Sequence, residues 1–222
     1  YVEEVTKLPV KIEVATSYEE FLREARAGKY DLAYAPSHFA LDLIQDHNFQ
    51  PLLTSDHHYQ SIIISQESSA YHSIENLANT TIAIPNPFAL VTRAAQIDIS
   101  NNVNHKTITY KTQSTHDRTV MAVLQKEVDA GVISSGAYDS LSGTMKKKLK
   151  IIHRLGNFPD DFLLMNTKGK LAEWSSIKLA QDYIDTAGKR TYYKVWGSEG
   201  NFIHGRSVNI EALAPFMPPK FK

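Results

Sequence analysis

Apolar residues follow two different periods along this chain, and together these periods predict alternating helices and strands. The segments with helical spacing are residues 17–27, 37–46, 73–77, 88–99, 115–128 and 171–187. The short apolar or alternating runs, which predict strands, are residues 10–15, 31–35, 51–54, 60–65, 81–84, 106–112, 129–135, 150–155 and 162–165. Helices between successive strands predict an α/β fold with crossover connections and a mixed, mainly parallel sheet.

One design occurs twice in the sequence. Residues 17–37 and 115–135 each contain a helix N-cap, a helix, a strand that begins at an Asp, and small or polar residues at the end of that strand. Ser17 has capping-box spacing to Glu20, and Thr115 is predicted to cap the second helix. The copies start about a hundred residues apart, which is too long for a solenoid and favours two similar lobes. A strand over 60–65 is predicted to cross between them, so residues 1–62 and 151–222 form lobe 1 and residues 63–150 form lobe 2.

Charge and composition exclude several classes of function. Lys plus Arg and Asp plus Glu both number 24 in 222 residues, so no net field attracts nucleic acid or an anionic membrane. The chain has no Cys, which excludes disulfides, thiolate catalysis and Cys-based metal sites. No apolar run reaches transmembrane length, so direct membrane insertion is not expected.

Four short motifs occur in an order and spacing that resemble one family of transport proteins. The motifs are Gly28–Pro36 (GKYDLAYAP), Thr81–Pro85 (TIAIP), Ser114–Asp117 (STHD) and Val128–Val132 (VDAGV). They resemble the phosphonate-type solute-binding family, the type II periplasmic binding proteins that serve ABC importers. The resemblance implies two lobes joined by two crossing strands, with a small ligand between lobes that close by a hinge. It also implies an ABC permease as partner and a periplasmic or other extracytoplasmic location.

The resemblance further implies where a ligand binds in lobe 2. The family holds an oxoanion at a Ser/Thr-rich helix start, which is matched here by Asn86-Pro87-Phe88-Ala89. The hydroxyls are absent, so the helix start at Phe88 and Ala89 is expected to bind an anion through its backbone N–H groups. The family's Ser-His pair is matched by Thr115-His116, and Ser134 replaces an acidic residue at the end of the next strand. The expected ligand is a small, phosphonate-like or phosphate-like anion with an apolar part beside Phe88.

Lobe 1 and the crossing strand supply the other candidate contacts. Ser37 and His38 follow a strand at the carboxyl edge where α/β sheets bind ligands, although Ser37 is equally typical of an ordinary helix cap. Tyr59 and Gln60 lie where the chain crosses between lobes, and Tyr59 is equally typical of an interlobe packing aromatic. The His57-His58 pair is not predicted to bind metal, because neighbours on a strand point to opposite faces.

The first lobe carries a further expectation. The family opens with a strand ahead of the helix that Tyr1 enters, and that strand is central to the lobe. Either this chain is trimmed at that end, or its first lobe is built differently. Near the second crossing, Asp160 and Asp161 are predicted to serve as turn and hinge residues.

Three functions compete at this point. The chain is a solute-binding protein, the ligand-sensing ectodomain of a membrane signalling receptor with the same fold, or an enzyme of that fold, such as one making the pyrimidine precursor of thiamin. The family of enzymes that makes this pyrimidine precursor relies on a Cys-rich motif, and this chain has no Cys. The sequence contains no Ser/His/Asp triad, Gly-rich phosphate loop or zinc-ligand helix. These observations argue against the enzyme. We therefore predict a solute-binding protein without catalysis, cofactor or metal, and the ligand-sensing ectodomain of a receptor stays open as the alternative.

Overall fold

The computed structural model describes residues 1–103, 107–197 and 199–219, with Trp196 described by its backbone alone. The chain divides into two compact units. Unit 1 contains residues 1–57 together with the chain from residue 159 onward, and unit 2 contains residues 58–158.

Strands and helices alternate along most of the chain. The strands are β1 (Leu32–Ala35), β2 (Phe49–Ser55), β3 (His58–Gln66), β4 (Thr81–Ile84), β5 (Thr109–Thr112), β6 (Ala130–Ser134), β7 (Leu149–Pro159), β8 (Phe162–Asn166) and β9 (Phe202–His204). The helices are α1 (Val2–Thr6), α2 (Tyr18–Arg26), α3 (Ser37–Asp46), α4 (Leu90–Asn102), α5 (His116–Leu124), α6 (Ser135–Asp139), α7 (Gly143–Lys146), α8 (Ser176–Tyr183) and α9 (Lys189–Trp196). A π-helical turn, Ile184–Gly188, joins α8 to α9.

Local capping explains where two of these helices begin. The Ser17 hydroxyl oxygen accepts the N–H of Glu20 at 3.1 Å, and the Thr115 hydroxyl oxygen accepts the N–H of Arg118 at 3.1 Å. Both predicted caps are confirmed, since each bond satisfies a backbone donor that the helix leaves unpaired. The prediction that Ser37 caps α3 is wrong. Pro36 occupies that cap position, and the Ser37 hydroxyl donates to the Pro159 carbonyl at 3.0 Å instead.

The sheet of unit 1 has the strand order β1-β8-β2-β9. Each neighbouring pair is antiparallel, although β1 and β2 run in the same direction as each other. The prediction of a mainly parallel sheet is therefore wrong for this unit. The helix α3 connects β1 to β2. The chain returns to unit 1 on β8, which lies between these two strands and is antiparallel to both.

The sheet of unit 2 has the order β5-β4-β6-β3-β7. β4 pairs in parallel with both β5 and β6, while β3 is antiparallel to β6. The core contains side chains of α4, such as Val91 and Ile99, and of α5, such as Val120 and Val123. At Gly131 a Cβ atom would lie 2.8 Å from Thr119 Cγ2, so the close approach of α5 to β6 requires glycine.

Several predicted elements differ in the structure. Residues 10–15 pair with no strand in the described part of the chain, because alternation alone supplies no hydrogen-bonding partner. The helix predicted from residue 171 begins at Ser176, where the Ser175 hydroxyl accepts a backbone N–H at 3.3 Å. Gly188 does not end this helical segment, since Tyr192 of α9 is buried against Phe202 and packing outweighs the propensity of glycine. Of the predicted strand 106–112, Thr109–Thr112 is observed and Lys106 lies outside the described residues.

Candidate ligand-binding site

The carboxyl ends of three parallel strands meet at one edge of the sheet in unit 2. β4 and β5 end in register at Ile84 and Thr112, and β6 ends at Ser134. β3 runs the other way, and its register of Ser61 with Ser134 puts the start of β3 at the same edge. Ligands of α/β proteins bind at such edges. The residues brought to this edge are Tyr59, Gln60, Phe88, Ala89, Thr115, His116 and Ser134.

The first turn of α4 offers backbone donors at this edge. Ala89 is the cap residue and makes no side-chain cap bond, and Phe88 lies in the preceding turn, with its N–H donating to Asn86 Oδ1 at 2.8 Å. Over the described residues, the N–H groups of Leu90 and Val91 find no acceptor. The helix begins two residues later than predicted, so the available donors are those of Leu90 and Val91. A helix start with such donors is suited to an anion.

His116 is the first residue of α5, and its ring is half-buried. Its Nδ1 atom is fully buried and has no hydrogen-bond partner among the residues that the structure describes. Burial lowers the pKa of His116 below its usual 6.5, against the smaller opposing effect of Asp117. The imidazole is therefore neutral at pH 7. Thr115 is exposed, and its oxygen is already engaged by the cap bond.

Sequence reasoning missed two further buried polar atoms, one in α4 and one in the connection between β5 and α5. The backbone N–H of Gln113 donates to the Ile84 carbonyl at 2.8 Å, which positions this residue at the edge. Within the described part of the chain, neither Gln113 Nε2 nor Thr92 Oγ1 has a partner. Gln113 directly precedes the Ser114–Asp117 motif, and that adjacency was the available signal. Nothing in the sequence pointed to Thr92, which lies in the first turn of α4.

The side chain of Gln60 is held by unit 2 itself. Its Oε1 accepts a hydrogen bond from Arg154 Nη1 at 3.3 Å, and its backbone N–H donates to Ser135 Oγ at 3.0 Å. Arg154 is exposed on β7 and places a cation beside the start of β3. Because that placement depends on strand order, the sequence did not reveal it.

Ser134 and Tyr59 also have structural partners. The Ser134 hydroxyl oxygen accepts a backbone N–H of α6 at 3.1 Å and so caps that helix. Tyr59 is half-buried, with its ring centroid 6.0 Å from that of Phe158. Both residues lie at the sheet edge, and their contact with a ligand stays a prediction.

The predicted contacts in unit 1 lie in its core. Ser37 and His38 are both 0% exposed. The Ser37 hydroxyl is engaged by the Pro159 carbonyl, and the His38 ring centroid is 4.3 Å from that of Phe39. Ligand contact by these two residues stays a prediction.

Unit 1 contains a mainly apolar cavity of about 530 Å³ with polar groups at its lining. Asp160 Oδ2 accepts a hydrogen bond from the Ser55 hydroxyl at 2.7 Å, and the Asp161 carbonyl accepts one from Thr54 at 2.9 Å. Burial, followed by the charge of Asp160, raises the pKa of Asp161 to about 7. This carboxyl therefore titrates near neutral pH. The sequence predicted a turn and hinge role for Asp161 and did not indicate this titration.

Asp161→Asn is expected to raise the free energy of unfolding at pH 8 by on the order of 2 kcal/mol and to change it little at pH 4. The folded state raises this pKa above its unfolded value, so the associated stability is present near pH 4 and is lost as pH rises towards 7. Asparagine carries no charge and avoids that loss. Urea denaturation at pH 4, 6 and 8 measures the difference, with Asp139→Asn on the surface as the matched control. An equal effect of Asp161→Asn at pH 4 and pH 8 would contradict the prediction.

One group of possible metal ligands, Asp42, Asp46 and His47, lies close together in the described part of unit 1. Arg26 donates from Nε and Nη2 to the two carboxylate oxygens of Asp42, at 2.9 and 3.0 Å. Because Arg26 already neutralises the buried carboxylate of Asp42, we interpret this group as part of an ion pair.

The fold resembles several solved structures. XAC2383 from Xanthomonas citri bound to ATP has a TM-score of 0.80 at 16% identity, over 97% of this chain and 87% of that one. PhnD1 from Prochlorococcus marinus in complex with methylphosphonate has a TM-score of 0.74 at 14% identity, over the same two shares. The binding protein component of an ABC phosphonate transporter, PA3383 from Pseudomonas aeruginosa, has a TM-score of 0.64 at 18% identity, over 91% and 72%. The predicted α/β class and type II periplasmic binding protein fold are confirmed.

A family model described as "ABC transporter, phosphonate, periplasmic substrate-binding protein" matches residues 1–181. A search of curated proteins finds no match to this chain. No helix in the described residues has the length and apolar character needed to cross a membrane. Proteins of the matched family bind small molecules outside the cytoplasm for an ABC permease, and their role is transport rather than catalysis. The chain belongs to the periplasmic substrate-binding proteins of phosphonate ABC transporters.

Proposed function

We propose that this protein captures a small ligand with an oxoanion head for delivery to an ABC permease. The observation that carries the proposal is the convergence of two helix starts, α4 and α5, on one edge of the sheet in unit 2. Both helices present the positive ends of their dipoles there. A phosphonate-like or phosphate-like group offers the acceptor oxygens that these donors need.

The donors are arranged for an acceptor rather than for a metal or a cation. Leu90 and Val91 contribute backbone N–H groups, and His116 and Gln113 contribute buried side-chain nitrogens. A buried polar atom without a hydrogen bond destabilises the folded protein. A bound anion would accept hydrogen bonds from these groups and remove that destabilisation. The half-buried Phe88 beside α4 would contact an apolar substituent of the ligand.

The remaining contacts belong to the same proposal. Thr115, Ser134, Tyr59 and Gln60 would line the edge, with Ala89 contributing backbone at the start of α4. In unit 1, the side chains of Ser37 and His38 are fully buried, so their contribution would come from the backbone at the start of α3.

His116→Ala is expected to weaken the binding of methylphosphonate roughly ten- to a hundredfold. The change removes one donor to a charged acceptor, a loss of about 1.5–3 kcal/mol. Isothermal titration calorimetry measures the affinity, and native mass spectrometry of the purified protein identifies any ligand carried from the cell.

The matched control is Ser68→Ala, an exposed residue outside the proposed site, which should leave the affinity unchanged. Thermal denaturation of both variants separates loss of binding from loss of fold. If His116→Ala binds as tightly as the parent, the placement of the anion at the start of α5 is wrong. If the parent binds neither methylphosphonate nor inorganic phosphate and carries no anionic ligand from the cell, the oxoanion proposal fails.

A further inference from the structure

Arg154 places an exposed positive charge at the candidate ligand-binding edge of unit 2. Its Nη1 donates to Gln60 Oε1 at 3.3 Å, and a neutral amide leaves the charge of the guanidinium uncompensated. Arg154 takes part in none of the ion pairs that join the described residues. Because a guanidinium has five N–H donors, it keeps both a charge and donors that a bound anion can use.

The backbone around Gln60 fixes the position of this hydrogen bond. The Gln60 N–H donates to Ser135 Oγ at 3.0 Å, at the start of α6. The next residue, Ser61, lies opposite Ser134, where β6 ends. The amide that holds Arg154 is therefore at the carboxyl end of β6, on the same edge of the sheet as the starts of α4 and α5.

The strand order sets the distance between Arg154 and the helix start of α4. The strand β4, which leads into α4, lies beside β6, and β6 lies beside β3, which carries Gln60. Neighbouring strands are about 4.8 Å apart, so Gln60 is offset from the end of β4 by about 10 Å across the sheet. A hydrogen bond spans only about 3 Å. One small oxoanion therefore does not reach both sets of donors, whereas two anionic groups joined by several atoms do.

We propose that the ligand carries a second anionic group, a carboxylate or a second phosphate-like group, and that Arg154 binds it. The inference rests on the proposed function, because the starts of α4 and α5 hold the first anionic group. The planar guanidinium matches two oxygens of either second group. The neighbouring Ser134, Ser135 and Gln60 are uncharged, so Arg154 dominates the charge at this end of the edge and disfavours a ligand with an amino group there.

Isothermal titration calorimetry with matched pairs of ligands tests the proposal. Each phosphonoalkanoate, from phosphonoacetate to phosphonohexanoate, is compared with the alkylphosphonate that has a methyl group in place of the carboxylate. The carboxylate form is expected to bind at least about tenfold more tightly in the pair whose length matches the offset, because it gains a charge-assisted hydrogen bond. Alkylene diphosphonates of the same lengths show whether a carboxylate or a second phosphate-like group gains more.

Three variants assign the gain in affinity to Arg154. Arg154→Gln removes the charge and should bring the ratio of the two affinities to about one. Arg154→Lys keeps the charge without the planar fork and should retain part of the gain. Lys147→Gln is the matched control, since it removes the same charge from an exposed residue at the other end of β3, where the Glu67 N–H donates to the Lys148 carbonyl at 2.9 Å. This control should retain the whole gain.

The outcomes separate this inference from the proposed function. A wild type that binds alkylphosphonates but gains no affinity from a second anionic group, at any chain length, overturns the inference and leaves the proposed function standing. A gain that Arg154→Gln retains in full also overturns the inference. A wild type that binds none of these phosphonates contradicts the proposed function and, with it, the role of Arg154.

Discussion

Arg26→Met is expected to lower the free energy of unfolding by about 3–5 kcal/mol, because it leaves a buried carboxylate without its counter-charge. Arg26 holds both oxygens of Asp42 through two hydrogen bonds. The side chains of Arg26 and Asp42 are 13% and 1% exposed, so water cannot replace the lost partner. Methionine preserves most of the apolar stem and isolates the electrostatic loss.

Urea denaturation at neutral pH measures this effect, and two variants serve as controls. Lys29→Met breaks ion pairs with Glu13 and Glu24 on the surface, and should change the free energy of unfolding by at most about 1 kcal/mol. Arg26→Met combined with Asp42→Leu removes both buried charges, and should recover much of the stability. A loss from Arg26→Met no larger than that from Lys29→Met would show that Asp42 is adequately solvated without Arg26.

Phe39→Ala is expected to cost about 3–5 kcal/mol, the usual range for removing a buried aromatic ring. Phe39 is fully buried in α3 and packs edge-on to Tyr18, with a centroid separation of 5.3 Å. It also stacks on Phe21 at 6.4 Å, so its removal leaves a cavity between α2 and α3. These rings hold α3 against α2 at the end of β1.

Differential scanning calorimetry and urea denaturation both report this loss. Tyr193→Ala removes an aromatic ring of similar size that is 61% exposed on α9, and should change the free energy of unfolding by no more than about 0.5 kcal/mol. Similar losses for the two variants would mean that the α2–α3 contact contributes little to stability.

Features that depend on near neighbours in the chain were determined by the sequence itself. β4 has the predicted bounds, α3 ends at the predicted Asp46, and Ser17 and Thr115 cap the predicted helices. A cap bonds to a backbone N–H three residues away, so the residues that define it are visible in a short window. The order and spacing of the four motifs were likewise enough to predict the family that the family model shows.

Features that depend on distant parts of the chain were decided by the tertiary structure. β8 lies between β1 and β2, and alternation within a strand does not specify which strands become its neighbours. The same alternation in residues 10–15 predicted a strand, yet a strand also needs a partner. Helix packing carried the chain through Gly188, although glycine alone favours a stop.

The candidate site divides in the same way. The residue types at Phe88, Thr115 and His116 were visible in the sequence, and strand order and register place them at one edge of unit 2. Gln113 Nε2, which has no partner among the described residues, and the raised pKa of Asp161 became visible only in three dimensions. Whether a side chain is buried and has a hydrogen-bonding partner depends on residues that are far apart in the chain. The sequence therefore determines which functional groups are present, and the fold decides which of them are available to bind a ligand.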